Sequence, residues 1–149
     1  VASRQGRTTF DVLLRIGACW FALLSVACGS RPLAVPGNAI VGADSALPTP
    51  KVEPNDAPPQ ILGMRLSSLD VRRGEHWSGW FVTGTNVASV EVRTSLFSIN
   101  VPHVAPGRFE FMLDVLDTPP IFVRSYHLRV IARNSAGDAD EEDLPFRIR

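Results

Sequence analysis

The chain has 149 residues with 15 basic and 15 acidic side chains, so its formal net charge is zero. That balance excludes the strongly basic field of a nucleic-acid binder and the acidic tail of a partner for basic proteins. Its two cysteines, Cys19 and Cys28, both lie near the start, so the remainder must fold without an internal disulfide.

The start has the three parts of an export signal in order. Arg4, Arg7 and Arg15 face a single acid, Asp11. An uncharged apolar segment follows from Ile16 to Ala27, with Ser25 its one polar residue. It falls in the range of a signal peptide, about 7–15 residues, and short of the ~20 needed to span a bilayer. Ser25-Val26-Ala27-Cys28 resembles the lipobox of bacterial lipoproteins, with small Ala27 before the cysteine and Ser25 where that family usually has Leu. The resemblance implies cleavage after residue 27, a lipid on Cys28 and a membrane anchor. Gly29 stands where an Asp would signal inner-membrane retention, which implies the outer membrane. The expected address is the cell envelope, facing periplasm or exterior.

Residues 28–57 form the next unit. Pro32, Pro36, Pro48, Pro50 and Pro54 lie among Ala, Gly, Ser, Thr, Asn and Asp, with Pro58 and Pro59 just beyond. No helix survives such spacing, and little here is apolar enough to build a core. The expectation is a tether, part extended and part flexible, reaching on the order of 30 Å as a coil.

From residue 58 the pattern turns strand-like. Ile61 to Val71 is a first apolar segment with a break at Ser67-Ser68, and Arg73-Gly74-Glu75 is a turn. Trp77 to Thr83 is rich in aromatic and β-branched residues, and Gly84-Thr85-Asn86 turns the chain again. Ala88, Val90 and Val92 then alternate with polar residues, as do Phe97, Ile99 and Val101. Pro102 to Gly107 reads as a loop. Phe109, Phe111, Leu113 and Val115 form the next alternating run, and Asp117 to Pro120 ends it. Tyr126, Leu128, Val130 and Ala132, then Leu144, Phe146 and Ile148, supply the last two. Period two with turn residues about every eight to twelve positions predicts an all-β sandwich of about seven strands spanning 58–149. Trp77 and Trp80 alternate to opposite faces, and one of them is the expected core tryptophan.

The run from Tyr126 to Gly137, with Ala132, Asn134 and Gly137 in it, resembles the penultimate strand and turn of fibronectin type III and bacterial immunoglobulin-like domains. Val71-Arg72-Arg73-Gly74 and Asn86 to Val92 are similar to early strands of such modules. The resemblance implies an immunoglobulin-like fold in which the Tyr126 hydroxyl bonds backbone at a sheet corner.

Chemistry-bearing residues are sparse. His76, His103 and His127 lack metal-ligand spacing, and no cysteine is available to complete a zinc site. Asp138, Asp140, Glu141, Glu142 and Asp143 are a weak calcium candidate in the expected loop before the last strand. The spacing of an EF-hand is missing, and a solvated turn that discourages edge pairing is the favoured reading. Arg124, Arg129, Arg133, Arg147 and Arg149 form an outward strip for a polyanion or, by preference, ordinary ion pairs with Glu91, Glu110 or the acidic run. Glu110 and Asp114 share a strand face and read as solvent-facing. No Gly-x-Ser-x-Gly, Gly-x-Gly-x-x-Gly or P-loop occurs.

These features predict a non-catalytic binding or structural module without cofactor or metal, anchored to a membrane through Cys28. A protein or glycan partner in the envelope is compatible with it, and nucleic acid is not expected. The alternatives are a small secreted hydrolase using His103 or His127, or an accessory subunit of an envelope assembly.

Overall fold

A computed structural model describes residues 34–41, 46–116 and 119–149. The export segment and Cys28 lie outside the described residues. Within them the chain forms ten strands: β1 (Ala39–Val41), β2 (Ile61–Leu66), β3 (Asp70–Val71), β4 (His76–Thr83), β5 (Val87–Arg93), β6 (Ser98–Val101), β7 (His103–Ala105), β8 (Arg108–Asp114), β9 (Ser125–Asn134) and β10 (Ala139–Ile148). A single 3-10 turn, Pro120–Phe122, precedes β9.

Two five-stranded sheets pack face to face, in the orders β1-β2-β4-β8-β7 and β3-β10-β9-β5-β6. The pairings are antiparallel except β1 on β2 and β3 on β10. This is the predicted immunoglobulin-like sandwich. The strands beyond the predicted seven are the short β1, β3 and β7. β7 lies inside the stretch read as a loop from Pro102 to Gly107.

The inward positions of the alternating strands meet between the sheets. Trp77, Phe81, Phe109, Met64, Leu66 and Leu128 are almost wholly buried there, with Val90, Val92, Val130, Phe146 and Ile148 around them. Each large apolar side chain so buried contributes about 1.5–3 kcal/mol. Trp77 is therefore the core tryptophan. Trp80 faces outward, where the Arg65 guanidinium lies 4.5 Å from its ring centre. Alternation is interrupted by bulges, one of them between Ile61 and Gly63 in β2. Another, between Val87 and Ser89 in the β5–β9 pairing, turns Val87 inward and leaves Ala88 exposed. Leu113, expected in the core, is half-buried at its margin.

The break at Ser67-Ser68 moves the chain from one sheet to the other. The Ser68 hydroxyl bonds both the N–H and the carbonyl of Asp70, and the Trp77 indole N–H donates to the Ser68 carbonyl at 2.9 Å. β3 then pairs with the end of β10, where Arg149 N–H donates to the Val71 carbonyl. Tyr126 holds the start of β9 near the same end: its hydroxyl donates to the Phe122 carbonyl at 2.8 Å. The β9–β10 turn is built on Asn134, whose Oδ1 accepts from the N–H groups of Ala136 and Asp138. Gly137 follows in the left-handed region at φ 95°, where a side chain would be strained.

The stretch read as tether carries structure of its own. β1 extends the first sheet beyond β2, and Asn38 donates to the Ile61 carbonyl and the Glu142 carboxylate. Residues 46–57 run along the sandwich as a strap. Pro48 sits where a side chain at Gly63 would be, Thr85 N–H donates to the Lys51 carbonyl, and the Ala57 carbonyl accepts from Asn86 and Asn134.

Candidate functional site

An apolar cleft of about 280 Å³ opens between the sheets. Its floor is Trp77, with Phe146 and Ile148 of β10 beside it. One wall is Leu96, Phe97 and Ile99, from the β5–β6 turn and β6. The other is the end of β8 and the residues after it, Leu113 to Leu116. Asp114 is the single charged residue among these.

Local sequence explains why the cleft stands open. β7 is three residues long, and its pairing with β8 reaches Arg108 and Phe109, with one further bond from Glu110 N–H to the Pro102 carbonyl. Beyond that point no described strand lies along β8 on this side, so the gap between the sheets is uncovered there. The far wall is held by a Thr94 turn. Thr94 Oγ1 accepts from the N–H groups of Leu96 and Phe97, and Thr94 N–H donates to the Phe97 carbonyl. Phe97 then meets Trp77 and Phe146 edge-on, with ring centres 6.1 and 6.3 Å apart. Trp77 packs on Phe146 at 4.9 Å and on Phe111 at 4.7 Å. Such aromatic contacts fix the rings, so the cleft is preformed. Leu116 in its wall is more than 70% exposed, as is Met112 on the outward face of the adjoining β8. Large apolar side chains exposed together mark interaction surfaces, and apolar pockets are the usual form of a small binding site.

The most strongly organised polar group lies on the outer face of the second sheet. Glu91 points away from the core yet is only 8% exposed. One carboxylate oxygen accepts from the Ser98 hydroxyl at 2.5 Å and from Arg93 at 2.6 and 2.8 Å, and the other accepts from Arg133 at 3.0 Å. The Ser98 hydrogen bond, with those from the two guanidinium groups, outweighs desolvation and lowers the Glu91 pKa from 4.5 to about 2. These bonds occupy the carboxylate and make it a structural clamp.

The residues singled out in the sequence fall in scattered places. The acidic run lies in β10 and the turn leading into it, not in a free loop. Asp138 accepts from Asn134, and Asp140 accepts from Ile61 N–H at 2.7 Å. Glu142 accepts from Asn38, while Glu141 and Asp143 pair with Arg129. From residue 139 the run is strand because its backbone pairs with β9, and its carboxylates find structural partners. Among the described residues, no group of three or more His, Cys, Asp or Glu side chains converges as a metal site.

Of the arginine strip, Arg129 pairs with the acidic run, Arg133 with Glu91 and Arg149 with Asp70, while Arg124 lies over the Tyr126 ring. Arg147 is exposed on β10. His103 stacks on Phe109 with centres 4.6 Å apart, and His76 Nδ1 contacts the Asp114 carboxylate across β4 and β8. His127 is exposed on β9, opposite Pro145. His103 and His127 stand in different sheets. Glu110 and Asp114 share the outward face of β8. The cleft itself was missed from sequence. Its one local signal is Leu96-Phe97, a large apolar pair in a turn between two strands.

No protein-family model matches this chain, and no curated protein matches it.

Proposed function

We propose that this chain is a non-catalytic binding module of the cell envelope, an immunoglobulin-like domain of the fibronectin type III kind held to a membrane by a lipid on Cys28. The cleft carries the binding part of this reading. It is preformed, lined almost entirely by carbon and flanked by exposed Met112 and Leu116. The anchoring part rests on the export segment and its lipobox resemblance. By contrast, Glu91, Asp138, Asp140 and Asn134 are engaged in bonds that hold the fold.

A titration with indole, followed by methyl NMR, tests the cleft. Shifts confined to the methyl groups of Leu96, Ile99, Leu113 and Leu116 support the reading. Shifts scattered over the surface, or none, oppose it. Hydrolysis of esters, peptides or glycans by the purified protein, lost on replacing His103 or His127, would favour the hydrolase instead.

A further inference from the structure

The cleft adjoins an unfinished edge. Odd residues of β8 bond toward β4, as Val115 N–H does to the Glu75 carbonyl, and even residues face the opposite side, as Glu110 N–H does toward Pro102. Past Glu110 the main-chain groups of Met112 and Asp114 therefore point to an edge where no described strand pairs with them. Such a row of donors and acceptors is a template for another strand. The edge of β10 makes the contrast. There Pro145 interrupts the donors between the acidic run and the short β3.

We infer that an extended peptide from a partner protein adds to the β8 edge at Met112–Asp114, antiparallel to β8, and places alternate apolar side chains into the cleft. The inference rests on the proposed binding role of the cleft and names the occupant. Three observations select an extended peptide over a lipid tail or a helix. The unpaired groups are main-chain amides and carbonyls, which only another backbone matches in register. The cleft lies on the inward side of that edge, beside Leu113, where every second residue of an added strand would point. The outward positions of the edge are Glu110, Met112 and Asp114, so charge complementarity calls for Lys or Arg at the partner's intervening positions. The motif expected is apolar–basic–apolar over about five residues.

The full chain in lipid nanodiscs, panned against a displayed library of random decapeptides, tests this. Enriched peptides are expected to alternate apolar and basic residues. Synthetic copies should bind at least roughly tenfold more weakly to Met112→Pro, which removes an edge donor, and when every second peptide amide is N-methylated. The N-methyl arm needs no protein variant and carries the test if Met112→Pro does not fold. Asp114→Lys should weaken the basic peptides and spare neutral ones.

Enrichment of peptides with apolar residues three and four apart, or affinity unchanged by both backbone changes, would overturn strand addition while leaving the indole result standing. Failure to enrich any alternating peptide would do the same. Self-association abolished by Met112→Pro would make the occupant a second copy and also overturn it.

Discussion

The indole N–H of Trp77 donates to the Ser68 carbonyl, so the largest core side chain is tied to the point where the chain changes sheets. That bond gives Trp77 two roles. It fills the space between Phe111 and Phe146, and it satisfies a carbonyl that the break between β2 and β3 leaves outside a ladder.

Trp77→Ala should cost about 3–5 kcal/mol of stability, as for other large-to-small changes in a packed core. Trp77→Phe restores much of the bulk but loses the hydrogen bond, and should still cost roughly 1–3 kcal/mol. Trp80→Ala, on the outer face, should cost less than either. Urea denaturation of the three variants checks the order, and equal losses for Trp77 and Trp80 would contradict the placement of Trp77 in the core.

Glu91 makes the second sheet sensitive to acid in a defined window. Its folded pKa is depressed to about 2 from 4.5. The stabilisation is therefore fully present above the unfolded value and is lost as pH falls from about 4.5 toward 2. Glu91→Gln should lower stability at neutral pH by about 1–3 kcal/mol, the scale of hydrogen bonds to a charged group. The gap between wild type and variant should close as pH falls through that window. A gap independent of pH would show that shape, not charge, accounts for the effect.

Much of the fold was legible because alternation reports a half-buried sheet directly. β8 and β9 follow it, and Gly137 and Asn134 sit in the turn their chemistry suits. Of the features that were hidden, three show the physical reason. Val87 displaces Ala88 from the core through a bulge, which resets the period without leaving a mark in composition. The carboxylates from Asp140 to Asp143 read as a loop because acids are poor strand formers. Their backbone pairs with β9, and Asn38, Ile61 N–H and Arg129 are the partners of the carboxylates, all distant in sequence. The cleft joins Leu96, Leu113 and Phe146, which no window of sequence places together.

The strap over the first sheet depends on the absence of a side chain at Gly63. A Cβ there would lie 2.6 Å from Pro48 Cδ, closer than real contacts allow. Gly63→Val should therefore dislodge residues 46–57 while keeping the sandwich. Lys51, the one lysine in the chain, is a reporter. Tryptic cleavage after Lys51 should become several-fold faster, with a smaller change in the global unfolding midpoint. Unchanged cleavage would mean that the strap does not depend on this contact.

We propose that this sandwich works as a module tethered to a membrane, and the mass of the mature N terminus is the decisive test. The expected mass is that of a chain beginning at Cys28 with a lipid added on that residue. An uncleaved N terminus with Cys28 unmodified would contradict it.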